Sequence, residues 1–112
     1  MTKSELSQLL HYSGLPVNEW LSSKENESKY PRCVYWPYID EDIPASGDTF
    51  TEKTTYQISI YSLKPEVPEL KKIRKKLREL GIPTTVYMEY VEKDKVFHHY
   101  FALEVIDDEY DL

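Results

Sequence analysis

The chain has 112 residues, enough for one domain that buries a modest core without disulfide or metal staples. Aliphatic and aromatic residues make up 40% of it and charged residues 30%, a balance that excludes a disordered chain. The net charge of −6 argues against a dedicated phosphate binder, and the single cysteine, Cys33, excludes an internal disulfide and fits a reducing compartment.

Residues 2–13 are predicted to form a helix. Thr2 and Glu5 fit a capping box, and Leu6, Leu9 and Leu10 form an apolar stripe. Gly14 ends it and Pro16 prevents its continuation. The N-terminal stretch has no long apolar segment of the secretory type, and no run approaches membrane-spanning length, so a cytosolic protein is expected. Val17 and Trp20 are expected to anchor the next stretch to the core. Residues 22–29, SSKENESK, read as an exposed polar loop. Residues 31–37, PRCVYWP, read as a short strand bracketed by prolines. Val34 and Trp36 share one of its faces and Cys33 and Tyr35 the other; the pattern does not choose which faces the core.

Residues 40–53, DEDIPASGDTFTEK, are expected to be a mobile loop, the longest irregular segment of the chain. Two readings stand open: a solvated hairpin connection, or an arm that reaches a neighbouring subunit. Its acidic candidates for such a contact are Asp40, Glu41, Asp42 and Asp48.

Residues 54–62, TTYQISIYS, carry the cleanest strand signal. Tyr56, Ile58 and Ile60 alternate with Thr55, Gln57, Ser59 and Tyr61, which suits a central strand with one apolar face. Residues 66–80 are predicted helical, with Val67, Leu70, Ile73, Leu77 and Leu80 on one stripe, Pro68 in the first turn and Gly81 at the end. Strands are predicted at 84–91 and 95–106, joined by a turn at 93–94. In the last strand Phe97, Phe101, Leu103 and Val105 share a face, and His98, Tyr100, Ala102 and Glu104 the more polar one. Residues 107–112 are an acidic tail.

The order α-β-β-α-β-β predicts a single α+β domain over 1–112. Its expected core is a mostly antiparallel four-stranded sheet with helices on one face and the other face left to water or a partner. Ten tyrosines, each an apolar ring with a polar tip, suit a wet sheet face or an interface.

Little in the sequence carries chemistry. His98 and His99 are neighbours in a strand and point to opposite faces, so they cannot chelate one ion together; no metal-binding spacing occurs. There is no nucleophile elbow, and three glycines leave no phosphate-cradling loop. No cofactor and no catalytic residue is expected. The one concentrated electrostatic feature is the run Lys71, Lys72, Arg74, Lys75, Lys76 and Arg78, opposite the leucine stripe. It reads as a solvated helix face, as a docking surface for acidic segments of an adjacent subunit, or as a phosphate-contacting helix. Lys71, Lys72, Lys75 and Arg78 are the candidates on this side.

The succession GLPVNEW at 14–20, YPRCVYW at 30–36, an acidic Gly-containing loop, TTYQISIYS at 54–62, KKIRKKLRELGI at 71–82 and HHYFALEV at 98–105 resembles the small neck proteins of long-tailed bacteriophages and prophages. It is most similar to the tail terminator (tail-completion, head–tail joining) group. The matching positions are Pro31, Val34 and Tyr35, then Tyr56, Ile58, Ile60, Tyr61 and Ser62. The resemblance implies a non-enzymatic structural protein that forms a ring, commonly a hexamer, on the last tail-tube ring. The ring stops tail polymerisation and offers a surface to the head connector. The implied partners are further copies of the chain, the tail-tube protein and the head connector protein, with no membrane and no specific nucleic acid. The implied setting is the host cytoplasm during assembly and then the virion. The alternative from the residues alone is a small nucleic-acid-binding or regulatory module using the basic helix 71–78.

Overall fold

The alternation read in 54–62 organises the sheet. A computed structural model of the chain describes residues 1–44, 47 and 50–106. Its elements are α1 (Lys3–Tyr12), β1 (Val17–Glu19), β2 (Arg32–Pro44), β3 (Phe50–Ser62), α2 (Pro68–Glu79), β4 (Tyr87–Val91) and β5 (Val96–Ile106). They form one α+β domain with a five-stranded mixed sheet in the order β1-β2-β3-β5-β4.

Strand β3 is central, antiparallel to β2 on one side and to β5 on the other. Its inward residues Tyr56, Ile58 and Ile60 meet Cys33 and Tyr35 of β2 and Phe101, Leu103 and Val105 of β5. Leu6, Leu9 and Leu10 of α1 and Leu70, Ile73 and Leu77 of α2 pack on this face, so both helices cover the same side. Cys33 and Tyr35 therefore take the core face of β2, and Trp36 the open one. Burying each of these aliphatic side chains contributes about 1.5–3 kcal/mol.

The helix ends explain where the chain turns. Thr2 Oγ1 accepts from the Glu5 N–H at 3.1 Å while Glu5 Oε1 accepts from the Thr2 N–H at 2.9 Å, a complete capping box. Lys3 ties α1 to β1 through Glu19 at 3.2 Å. At the end of α2, Gly81 has φ +73°, a left-handed conformation that glycine adopts without penalty. Gly81 N–H donates to the Arg78 carbonyl at 3.0 Å and Ile82 N–H to that of Leu77 at 2.8 Å, the paired bonds of a Schellman motif.

Four expectations need correction. The sheet has five strands, not four, because Val17–Glu19 adds a strand parallel to β2. Three residues are too few to show an alternation. Residues 40–44 and 50–53 are strand, not loop: the β2–β3 ladder runs without a gap from Ile39↔Thr55 to Pro44↔Phe50. Its polar composition is accommodated because Thr54 Oγ1 donates to Asp40 at 2.6 Å and Lys53 reaches Glu41 at 3.7 Å. Trp20 is 58% exposed and Leu80 55% exposed, so neither anchors the core. Trp20 follows the end of β1, and Leu80 is the residue at which α2 ends. The strand expected from residue 84 begins at Tyr87. Asp48 and the tail 107–112 lie outside the described residues.

Candidate functional site

The acidic and basic candidates sit on different parts of the fold. Asp40, Glu41 and Asp42 lie in the outer half of β2, opposite Thr54, Lys53 and Glu52 of β3. The outer ladder, from Ile39↔Thr55 to Pro44↔Phe50, is an acidic β2–β3 arm; among the described residues the last pairing of β3 with β5 is Lys53↔Ile106, and the ladder runs on past it to Pro44↔Phe50. A bulge between Pro37 and Ile39 marks where the arm leaves the body; such an insertion bends and twists its strand. Ile39 and Phe50 expose apolar surface on this arm. Lys71, Lys72, Lys75 and Arg78 are exposed along α2. Among the described residues no ion pair joins these four cations to the arm. Among the described residues the fold therefore groups Asp40, Glu41 and Asp42 on one part and the four cations on another, with no ion pair between them.

The uncovered side of the sheet holds a polar and aromatic network that the sequence reading did not single out. Register places Arg32, Tyr61, His98 and Glu89 in one row across β2, β3, β5 and β4, and Val34, Ser59, Tyr100 and Tyr87 in the next. The His98 ring is stacked between Tyr61, at 4.7 Å between centroids, and Tyr100, at 4.8 Å. Tyr100 stacks in turn on Tyr87 at 5.5 Å. Glu89 Oε1 lies 2.9 Å from His98 Nδ1, and Ser59 Oγ lies 2.8 Å from Nε2. A carboxylate only accepts, so Nδ1–H donates to Glu89 and, in the neutral ring, Nε2 accepts the Ser59 hydroxyl proton. Gln57 Nε2 then donates to Ser59 Oγ at 3.2 Å.

Carboxylate, imidazole and hydroxyl thus stand in the order used for acyl transfer. Two parts of that chemistry are missing from this cluster. Ser59 is 0% exposed, so its oxygen cannot meet a substrate. Strand β3 is paired on both sides, so its backbone N–H groups serve the sheet and offer no oxyanion hole. The network satisfies buried polar groups and fixes the rings. Cys33 is no better placed: burial pushes its thiol up to about 12, far from a reactive thiolate. Among the described residues no three His, Cys, Asp or Glu side chains gather to hold a metal ion.

At the end of this face away from the arm lies a groove of about 580 Å³. Trp20, Leu21, Arg32, Trp36, Tyr61 and Asp94 line it. The Arg32 guanidinium lies over the rings of Tyr30 at 4.5 Å and Tyr61 at 5.2 Å. Its Nε donates to Ser22 Oγ at 3.0 Å and its Nη1 to the Lys29 carbonyl at 3.4 Å. All these partners are neutral, and among the described residues no carboxylate comes within ion-pair distance of Arg32. The loop 22–29 that supplies Ser22 and Lys29 is itself held by Asn18 Oδ1, which accepts from the Ser23 N–H and from Asn26 Nδ2. The signal for this groove was present only as an excess of tyrosine, since its walls come from separate segments.

No protein-family model matches the chain and no curated protein matches its sequence. No helix among the described residues is long and apolar enough to cross a membrane.

Proposed function

We propose that the chain is a non-enzymatic structural protein of a long-tailed bacteriophage or prophage, of the tail terminator type, acting in tail completion and head–tail joining. It forms a ring, of six copies by the resemblance, on the last tail-tube ring and presents its other side to the head connector. It works in the host cytoplasm during assembly and then in the neck of the virion. The observation that carries this reading is the acidic β2–β3 arm, whose ladder runs on to Pro44↔Phe50, past the last pairing of β3 with β5 among the described residues. It gives each copy a part that reaches outward from its own body. A closed ring needs two unlike, complementary surfaces on every subunit, and an arm with a separate receiving surface supplies them. The open aromatic face supports the same reading, since Tyr, Trp and Arg are enriched where proteins meet.

The test is deletion of the encoding gene in an inducible phage. Filled heads and separate, often overlong tails are the expected products; normal virions overturn the reading.

One observation favours a second reading, a small nucleic-acid-binding or regulatory module. Lys71, Lys72, Lys75 and Arg78 lie exposed along one helix with no carboxylate partner among the described residues. Such a module binds DNA with an affinity that falls steeply as salt rises, and it stays small in solution. Fluorescence anisotropy with a labelled duplex at two salt concentrations separates the two readings.

A further inference from the structure

We infer that the Trp20–Arg32 groove is the receptor for the β2–β3 arm of a second copy of this chain. The inference rests on the assembly reading and names the contact by which copies join. Arg32 is a half-buried cation held in place by a hydroxyl, a carbonyl and two aromatic rings, with no carboxylate to neutralise it among the described residues. Asp94 lines the far side of the groove but makes no ion pair with it. Beside the cation, Trp20 and Leu21 are 58% and 81% exposed. Trp20 also holds φ +72°, a conformation costly for a bulky residue, secured by its N–H donating to the Tyr35 carbonyl at 2.8 Å. A groove with an unneutralised guanidinium beside open apolar surface fits a partner that carries carboxylates next to apolar side chains.

The arm has that composition. Asp40, Glu41 and Asp42 stand between Ile39 and Phe50, both exposed. On the arm Lys53 lies 3.7 Å from Glu41 and 3.5 Å from Glu104 of β5; among the described residues neither Asp40 nor Asp42 has a cationic partner. A phosphate ligand is the poorer fit, because the groove's lining sets one carboxylate, Asp94, against one cation, Arg32, and Glu89 lies in the same row of the sheet. The chain cannot fill its own groove. Arg32 and Pro44 are the two ends of β2. At ~3.3 Å per residue they stand about 40 Å apart. Arm and groove therefore meet only between copies, head to tail, a contact that propagates until it closes.

Native mass spectrometry over a concentration series tests this on the full chain, with circular dichroism as the check that each variant is folded. The wild type associates. Arg32→Glu weakens association at least about tenfold, and so does the double reversal Asp40→Lys with Asp42→Lys, which share one face of the strand. The two folded variants mixed in equal amounts associate again, because each supplies the charge the other now lacks. Lys72→Glu with Lys75→Glu leaves association unchanged. Failure of the mixture to recover, or loss of association in the Lys72/Lys75 variant with Arg32→Glu unaffected, overturns the inference and moves the receptor to α2. A wild type that stays monomeric also overturns it, while the assembly reading is decided separately by the deletion phenotype.

Discussion

His98 and His99 are one residue apart, and the sheet gives them opposite circumstances. His98, on the open face, has a carboxylate at one ring nitrogen, a hydroxyl at the other and a tyrosine on each side. His99, on the helix face, is 2% exposed, and neither of its nitrogens has a hydrogen-bond partner among the described residues. One face is thus held by directional contacts between polar and aromatic groups, the other by close packing of aliphatic side chains. Packing tolerates an occasional polar intruder at a cost; a hydrogen-bonded network tolerates no missing member without orphaning its neighbours.

The largest effect should come from the packed face. Ile58→Ala removes a side chain with no exposed surface at the centre of the sheet and is expected to cost about 2–5 kcal/mol in urea unfolding. His99→Leu should do the opposite, raising stability by about 1–2 kcal/mol by removing unpaired polar atoms. The same substitution tests acid sensitivity. Burial, followed by the neighbouring His98 charge, holds the His99 ring below its ordinary value of 6.5. The unfolded chain therefore binds more protons in mild acid. His99's part in stability is intact above about pH 6.5 and is lost as pH falls toward the folded-state value. Unfolding measured at pH 7 and pH 5.5 should show a steeper loss for wild type than for His99→Leu; equal losses would mean the ring is not shielded as described.

On the open face, His98→Ala should cost about 1–2 kcal/mol, because Ser59 and Glu89 each lose a partner. A cost equal to that of Ile58→Ala would erase the distinction between the faces. Thr2→Ala, which opens the capping box of α1, is expected to cost about 1 kcal/mol by thermal unfolding. Smallest of all, Lys72→Glu with Lys75→Glu should change stability by no more than about 0.5 kcal/mol, since both side chains stand in water.

The packed face was legible in the sequence because alternation and helical spacing are local. Tyr56, Ile58, Ile60, Leu70, Ile73 and Leu77 could be placed from their own neighbours in the chain, and all six are buried. What escaped was whatever depends on a distant strand. Residues 40–44 are acidic and end in proline, and only the facing Phe50–Thr54 stretch makes them strand. Strand β1 exists because Cys33–Tyr35 lies beside it. Trp20 misled for another reason: a large apolar side chain is usually covered, and this one is not. The groove around Arg32 gathers residues from four stretches of chain, and no spacing rule reaches across them.

The outer margin of β2 has a consequence for which contacts the protein can avoid. Its strand partner on that side, β1, stops at Tyr35, and β2 continues to Pro44. A long uncovered margin is a template on which like chains stack into aggregates. Here Pro37 and Pro44 bring no N–H to such stacking, and Asp40, Glu41 and Asp42 set three carboxylates in succession between them. Two identical margins brought side by side would place acid against acid. The residues that keep this margin from fusing with its own likeness are those that leave it available to a surface of opposite charge.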